Sequence, residues 1–572
     1  MQRGDHAWVA LLLCAAALYL LGLDSPFAPT NGDEMVYLHI ARLTAESGHW
    51  LPLVSDLANM RNTKPPLLIW QAMVAGGWGN AWHLAALRLP SVLYTFMTTG
   101  FVVALTYRFS ERLRTACLAG VIYLAFFSTF RYGRVYLTSA PETFWLALPM
   151  FWLLMRAHTQ SVTISWRVVA PIGVCFGLGC AYKSFALVAP AAAALWCAVL
   201  ITHPATDWRV TLDTSARLGL STLIALGIFG LWLVFDPDPA AVWREFVLGE
   251  NAAKLGSDAG YWHDALSGSS SAWVQMLAYF ENAGLLWFVA MGVAWTVVRG
   301  GRLMRTGHPE IGILLVWLLV WLAVFTLPSQ RSARYVIPAM PALAILAALL
   351  WQRIGRLWFW LTLLLLAPVL VMLARIGWVL NETDIGSPFW CALVWFTSAL
   401  GLIAVLWGAI NPAAVRNATL VACLSVYACF GAMVAPLNQL PANYSAEVQT
   451  RLKGAHVAVP NGFNAQYERF HFLLPGSALE PYDTDGRNTH ALYPDLPADA
   501  RLEKLLEEFD AVVWVQESAG DSQPACAPAC KVLAQRWHVK SRHQSGEVTL
   551  ANLWYPQQWL FRREWLLQRA AS

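Results

Sequence analysis

The chain has 572 residues, of which 57% are hydrophobic and only 13% charged, against about 25% charged in an average soluble domain. Too little polar surface remains to cover a water-soluble globule of this size, so the composition excludes an ordinary soluble enzyme and points to a polytopic membrane protein. The net charge of +4 is small for the length, and no basic run interleaved with aromatics marks a nucleic-acid partner.

Thirteen apolar runs approach the length of about 20 residues that a spanning helix needs: 8–23, 91–107, 117–130, 143–155, 168–181, 185–201, 218–234, 284–298, 311–327, 336–351, 357–373, 390–409 and 418–434. The first resembles a signal-peptide core, but no clear small-residue cleavage site follows, so it reads as an uncleaved first helix. The thirty Trp suit interfacial belts.

The loop 24–90 holds the first informative stretch. Asn31-Gly32-Asp33 reads as a turn and helix start, and Gly48 as its stop. Between them Tyr37, Ile40, Ala41 and Thr44 recur at helical spacing, which predicts an amphipathic helix lying on the membrane surface. Asp33 falls at its amino end, where the helix dipole favours a carboxylate; Tyr37 follows one turn later on the same face. The simplest structural role for Asp33 is an N-cap. Lys64-Pro65-Pro66 comes next. Proline holds the preceding lysine extended and suits the first turn of a helix, so Lys64 stands where a phosphate would meet free backbone N–H groups. A snorkelling lysine is the alternative.

Further along, Ala140-Pro141-Glu142 starts the fourth long run, and Tyr182-Lys183-Ser184 lies between two runs. The loop 244–268 carries Glu245, Glu250, Asn251, Lys254, Tyr261, Trp262, His263 and Asp264; His263 is a weak candidate metal ligand, without an evident partner. Arg331-Ser332-Ala333-Arg334-Tyr335 precedes Pro338 and Pro341.

Short loops rich in arginine (Arg108, Arg112, Arg114, Arg156, Arg209, Arg299, Arg302, Arg353, Arg416 among them) predict their own side as cytoplasmic. With a cytoplasmic amino terminus, loops 24–90 and 235–283 and everything after about residue 435 then share the opposite face. The expected division is a transmembrane catalytic part, 1–435, and a small periplasmic α/β domain, 436–572. In the latter, 456–460, 470–474 and 511–516 read as strands and 445–453 and 500–509 as helices. Residues 557–568 read as an amphipathic helix on a membrane surface or on its own domain. Eight cysteines lie in or beside apolar runs as small hydrophobes. Cys526 and Cys530, in a polar segment with 527–529 as a turn between them, fit a disulfide if the segment faces an oxidising compartment.

In their order and spacing, Asp33-Glu34, Tyr37, Ala41-Arg42, Glu46-Ser47-Gly48, Trp50, Lys64-Pro65-Pro66, Trp70 and Leu87-Arg88-Leu89-Pro90-Ser91 resemble the amino-terminal signature of the aminoarabinose transferase and protein mannosyltransferase superfamily. The Arg331–Tyr335 stretch and Tyr182-Lys183-Ser184 are similar to later motifs of that family; the likeness covers about residues 8–350. It implies a GT-C fold with about thirteen transmembrane helices and transfer of a sugar from a polyprenyl-phosphate donor to a lipid or glycan acceptor in the bacterial inner membrane. It further implies Asp33 as the catalytic carboxylate, with Glu142 near the family's second acidic position. Tyr37, Lys64, Lys183, Arg331, Arg334 and Tyr335 are the implied substrate-binding groups. Where those transferases carry Arg before the Tyr this chain has Val36, and where they carry Glu before Lys-Pro-Pro it has Thr63. That Glu is associated with a metal there, so a divalent metal stays open here. Two rivals are a flippase of lipid-linked glycans, which predicts charges in mid-helix, and an envelope scaffold, which asks nothing of Asp33.

Overall fold

The computed structural model describes residues 3–26, 32–57, 60–157, 162–203, 208–254, 260–268, 270–300, 309–382, 388–434, 443–462, 465–484, 492–493, 496–515, 524, 526, 530–540, 543 and 546–570. Asn31, the stretch 255–259 of the loop 244–268, and the turn expected at 527–529 lie outside the described residues.

The amino-terminal three-quarters is helical. In chain order come α1 (Arg3–Ala17), α2 (Gly32–Glu46), α3 (Pro66–Ala75), α4 (Leu84–Ser110), α5 (Leu113–Ala125), α6 (Phe127–Tyr132), α7 (Ser139–Ala157), α8 (Trp166–Tyr182), α9 (Val188–Ile201) and α10 (Trp208–Phe235), followed by long apolar helices up to Val434. Eight helices among the described residues are long and apolar enough to cross a membrane: Leu84–Ser110, Trp208–Phe235, Ala278–Gly300, Pro309–Thr326, Ala333–Leu350, Arg356–Glu382, Pro388–Ile410 and Val415–Val434. The expected apolar runs fall largely on helix, but 8–23 is helical only to Ala17 and continues as turns, and 117–130 breaks at Phe126, whose backbone is extended (φ −66°, ψ 135°) between α5 and α6. The helices Ala333–Leu350 and Val415–Val434 are mostly buried and form the middle of the bundle. Trp208–Phe235 and Arg356–Glu382 turn most of their apolar surface outwards, with Leu223 and Leu364 about two-thirds exposed. Helices satisfy their own backbone groups, so such a surface can face lipid. This is a multi-pass membrane protein.

α2 departs from the expected surface helix. It begins at Gly32 and its chain turns away at Gly48 in the left-handed region (φ 74°), but Met35, Val36, Tyr37, Leu38, Ile40, Ala41 and Ala45 are all buried, as are Glu34 and His39. It packs against α3 on one side and the carboxyl-terminal domain on another, so its polar residues face protein partners rather than water.

The carboxyl-terminal domain is built on a five-stranded sheet in the order β2-β1-β3-β5-β4: β1 (His456–Asn461), β2 (Ala478–Asp483), β3 (Ala511–Val515), β4 (Cys530–Val539) and β5 (Phe561–Arg569). β1 is parallel to β2 and β3; β5 is antiparallel to β3 and β4. Alternate residues point to opposite faces of a strand. Ala458, Val512, Trp565 and Leu567 pack under Leu502 and Leu505 of the helix Ala498–Glu508. Val457, Val459, Val513 and Leu566 join the large core on the other side. Two sequence expectations fail here. Residues 470–474 are not a strand: a 3₁₀ turn, Gln466–Arg469, runs into a helical turn, Phe470–Leu473, that buries Phe470 and Leu473 three residues apart. Residues 557–568 are not an amphipathic helix, since all but the first few form β5. With both sheet faces covered, β5 has no alternation to read. A disulfide joins Cys526 and Cys530.

Candidate active site

A cavity of about 440 Å³ opens where loop segments meet the helix ends. Its polar wall is assembled from six chain segments, one of them Thr138 and Ser139 at the start of α7. Asp33 and Tyr37 come from the first two turns of α2. Lys64 stands just before α3, whose start is set by Pro65 in an extended conformation (φ −61°, ψ 154°) and by Pro66. Lys183 caps the carboxyl end of α8, and Ser184 caps the 3₁₀ turn that follows, accepting from the Ala186 N–H. Arg334 and Tyr335 lie in the 3₁₀ helix Ala333–Ala339, begun by the Ser332 hydroxyl accepting from the Arg334 N–H. Glu250 and Asn251 end the π-helical segment Trp243–Asn251. Met60, Leu137, Phe185, Val247 and Phe325 supply apolar lining.

The charges come in pairs of opposite sign. Arg334 Nη1 donates to Asp33 Oδ2 at 2.9 Å, Lys64 Nζ to Glu250 Oε1 at 2.9 Å and Lys183 Nζ to Glu142 Oε1 at 2.8 Å. Aromatic rings sit beside the cations: Lys64 Nζ is 5.7 Å from the Tyr37 ring centre and Lys183 Nζ 5.7 Å from that of Tyr335, within cation–π range. Glu142, in the first turn of α7, is fully buried behind Lys183, and its Oε2 has no hydrogen-bond partner among the described residues. Burial pushes the Tyr37 phenol well above its ordinary pKa, and the Asp33 charge adds to this, so Tyr37 stays a neutral donor. Ser184 Oγ donates to Asn251 Oδ1 at 2.6 Å, joining the α8–α9 turn to the π-helical segment.

α2 is clamped on two further faces. Glu34 takes a bidentate pair from Arg88 of α4, both bonds 2.7 Å, and also accepts the Tyr136 N–H at 2.9 Å. Arg88 Nη1 in turn holds the carbonyls of Leu23 and Ser25. On the third face His39 and Arg42 meet the carboxyl-terminal domain. His39 Nδ1 lies 3.0 Å from Glu468 Oε2 and Nε2 2.6 Å from Asp56 Oδ1, while Arg42 makes a bidentate pair with Glu468 at 2.7 and 3.1 Å.

Of the residues expected at the site, Asp33, Tyr37, Lys64, Lys183, Arg334 and Tyr335 line one cavity, and Glu142 stands directly behind it. Arg331 does not line it: its guanidinium donates to the carbonyls of Thr326 at 2.7 Å and Ser270 at 3.0 Å, so it organises the loop before Arg334. His263 is two-thirds exposed, with Asp264 as its neighbouring carboxylate, and does not line the cavity. Among the described residues no group of three His, Cys, Asp or Glu side chains could hold a metal ion. Val36 and Thr63, the two departures from the family pattern, both line the cavity. Glu250 lies in the expected loop 244–268, but only the fold brings it to Lys64, and no local pattern marks Glu468 as the partner of His39.

Residues 8–243 match the family described as dolichyl-phosphate-mannose-protein mannosyltransferase. In overall shape the chain is similar to crystal structures of ArnT from Cupriavidus metallidurans, one bound to undecaprenyl phosphate (TM-score 0.56, 17% identity, 97% of this chain and 98% of that one) and one in the apo state (TM-score 0.57, 17% identity, 98% of each). The chain has the GT-C fold. Curated relatives with this likeness include undecaprenyl phosphate-alpha-4-amino-4-deoxy-L-arabinose arabinosyl transferases of Sodalis glossinidius, 26% identical over 61% of this chain and 59% of that protein, and of Pseudomonas savastanoi pv. phaseolicola, 27% identical over 59% and 60%. The matched part thus spans about three-fifths of those relatives' length. In this GT-C frame the cavity lies at the ends of α2, α3, α7 and α8, on the side of the bundle that carries the carboxyl-terminal domain.

Proposed function

We propose that this chain is a glycosyltransferase that moves a sugar from a polyprenyl phosphate, undecaprenyl phosphate in a bacterial envelope, to an envelope acceptor such as lipid A. The observation that carries the reading is the cavity in which Lys64, Lys183 and Arg334 converge beside Asp33 at the ends of membrane helices. The names of the relatives and the undecaprenyl phosphate bound in the ArnT crystal structure point the same way.

The chemistry follows from the pairs. An acceptor oxygen attacks the anomeric carbon; the bond from that carbon to the phosphate oxygen breaks, and the phosphate leaves with the electron pair. Cations aimed at the departing oxygen lower the barrier, and a carboxylate that takes the acceptor proton activates the attack. In the resting structure each cation faces a carboxylate. A donor phosphate that draws Arg334 to itself weakens the hold on Asp33, whose carboxylate then turns to the acceptor hydroxyl. Donor binding and activation of the base are thereby coupled. Tyr37, neutral and one turn away, is placed to donate a hydrogen bond to a phosphate or sugar oxygen. A second cavity of about 360 Å³ shares Met60, Thr63 and Glu250 with the first and adds Arg244 and Glu245. Two chambers meeting at Thr63 suit a reaction between two substrates. The site lies on the same face as the carboxyl-terminal domain, a face we read as periplasmic; the arginine-rich short loops on the other side support that orientation.

Mass spectrometry of lipid A and the other envelope glycans, from cells with and without this protein, tests the reading. One added glycosyl group that depends on the protein, and that purified protein reproduces from a synthetic undecaprenyl-phosphate sugar, is the expected result. Identical glycans in both strains, with no turnover of any polyprenyl-phosphate sugar, would remove it.

A further inference from the structure

The segment 546–555, between β4 and β5, has an organised base and an apolar tip. Glu547 holds Lys540 at 2.6 Å and Arg562 at 2.8 Å. Asn552 donates to the Glu547 carbonyl at 2.7 Å and accepts the Thr549 N–H at 2.7 Å, and Trp559 Nε1 donates to the Asn552 carbonyl at 3.2 Å. On this frame Leu550 is 94% exposed, Trp554 50% and Tyr555 45%. A loop tip facing water is normally polar; here hydrogen bonds hold a leucine outwards beside two aromatics.

The loop's position says what covers it. Arg375, on the membrane-spanning helix Arg356–Glu382, donates to the Trp554 carbonyl at 3.1 Å, and its guanidinium lies 5.8 Å from the Trp554 ring centre. Beside this contact Ile376, Val379 and Leu380 pack with Phe561, Leu560 and Trp537, so the domain is seated on the flank of the helix as well as at its end. Arg375 lies about seven residues, or roughly 10 Å, short of the helix's carboxyl end at a rise of about 1.5 Å per residue. The whole helix of 27 residues is about 40 Å long, against a hydrocarbon core of about 30 Å. With Arg356, the first residue of the helix, at the opposite interface, Arg375 lies about 28 Å further on, which sets the loop near the boundary between headgroups and acyl chains. Trp378, half exposed one turn further on, and Phe389, about two-thirds exposed at the start of the next helix, are the lipid-facing aromatics expected at that depth.

We propose that the segment 546–555 is a membrane-contacting loop that inserts Leu550, Trp554 and Tyr555 into the lipid interface and so fixes the carboxyl-terminal domain against the bilayer as well as against the helices. The proposal does not depend on the sugar-transfer reading.

The test uses the full chain in vesicles of phosphatidylethanolamine and phosphatidylglycerol. Leu550→Cys, made in a Cys14→Ser background, is labelled with bimane, the signal of the parent protein is subtracted, and Glu447→Cys on an exposed helical turn serves as the water-facing control. Bimane at position 550 should be quenched when the lipid acyl chains are brominated and little affected by aqueous iodide; at position 447 the pattern should reverse. Quenching by iodide at 550 equal to that at 447 would overturn the proposal, because the loop would then stand in water. Protection from both quenchers, with disulfide-linked dimers forming through the unlabelled Leu550→Cys thiol, would overturn it in favour of a second copy of the chain.

Discussion

The three cations of the site are not equivalent, and their partners show why. Arg334 is paired with the one carboxylate at the start of α2 that lines the cavity, Lys64 with Glu250 on a separate segment, and Lys183 with a Glu142 that no solvent reaches. Asp33 is about one-third exposed on its side chain, open enough for an acceptor, whereas Glu142 is sealed behind Lys183. We propose that the roles divide accordingly, with Asp33 acting on the acceptor and Glu142 holding Lys183 in place. Asp33→Asn should keep the fold and donor binding yet lose turnover by about 100- to 10,000-fold, the usual contribution of one acid–base group. Lys64→Ala should weaken donor binding as well as turnover and leave Glu250 without its lysine. Turnover on a polyprenyl-phosphate sugar and binding of the donor, measured separately, check both. Near-normal transfer by Asp33→Asn would take Asp33 out of the mechanism and make Glu142 the next carboxylate to examine.

At the scale of elements, α2 gives one face to each of three neighbours. Asp33 and Tyr37 face the cavity, Glu34 faces Arg88, and His39 and Arg42 face Glu468. The neighbouring Arg469 reaches the other way, to Glu564 on β5 at 2.6 Å, so residues 468–469 link the helix that carries Asp33 to the sheet of the outer domain. Both ring nitrogens of His39 meet carboxylates, which favours the imidazolium. Burial alone would lower its pKa; the bonds to Asp56 and Glu468 outweigh that and raise it to about 9. Glu468 shows the opposite balance. Burial would raise it, but His39, His471 and Arg42 bring it down to about 2. A raised histidine contributes its stabilisation in full below its unfolded value of about 6.5, and loses it as pH rises through about 9. A lowered glutamate contributes above about 4.5 and loses it as pH falls through about 2. Asp56, Tyr467, Arg42 and His471 also face this histidine–glutamate pair; burial moves the His471 pKa down from its ordinary value, away from the range in which His39 titrates. Thermal unfolding in detergent should therefore show Tm falling from pH 7 to 10, with a shallower fall in His39→Gln. Equal slopes would mean that the contact does not govern docking.

For the whole molecule, one face carries nearly everything with chemistry. The cavity, the loop 24–90, the π-helical segment and the sheet domain lie at the same end. At the other end arginines in the terminal turns of helices hold backbone carbonyls, as Arg416 does with Trp351 and Ile354 and Arg108 with Met155. A reporter active only outside the cytoplasm should work when fused after Ser572. Signal only from a cytoplasmic reporter at that point would reverse the orientation and place the site on the wrong side for a polyprenyl-linked donor used in the periplasm.

By itself the sequence determined the class of molecule and the position of its helices, because a run of apolar residues long enough to cross a bilayer needs no partner to be recognised. It also carried the order of the site motifs, since Asp33 at a helix start and Lys64 before two prolines are local features. It read the sheet domain less well: β5 is buried on both faces, so Trp565, Leu566 and Leu567 run on without alternation and resemble a helix. What only the tertiary structure decided is pairing. Arg334 meets Asp33 across 301 residues, Glu250 meets Lys64 across 186 and Glu468 meets His39 across 429. No local pattern marks such partners. A buried charge settles on whichever opposite charge the fold brings within reach, because leaving it alone in a low dielectric costs more than any local preference can offset.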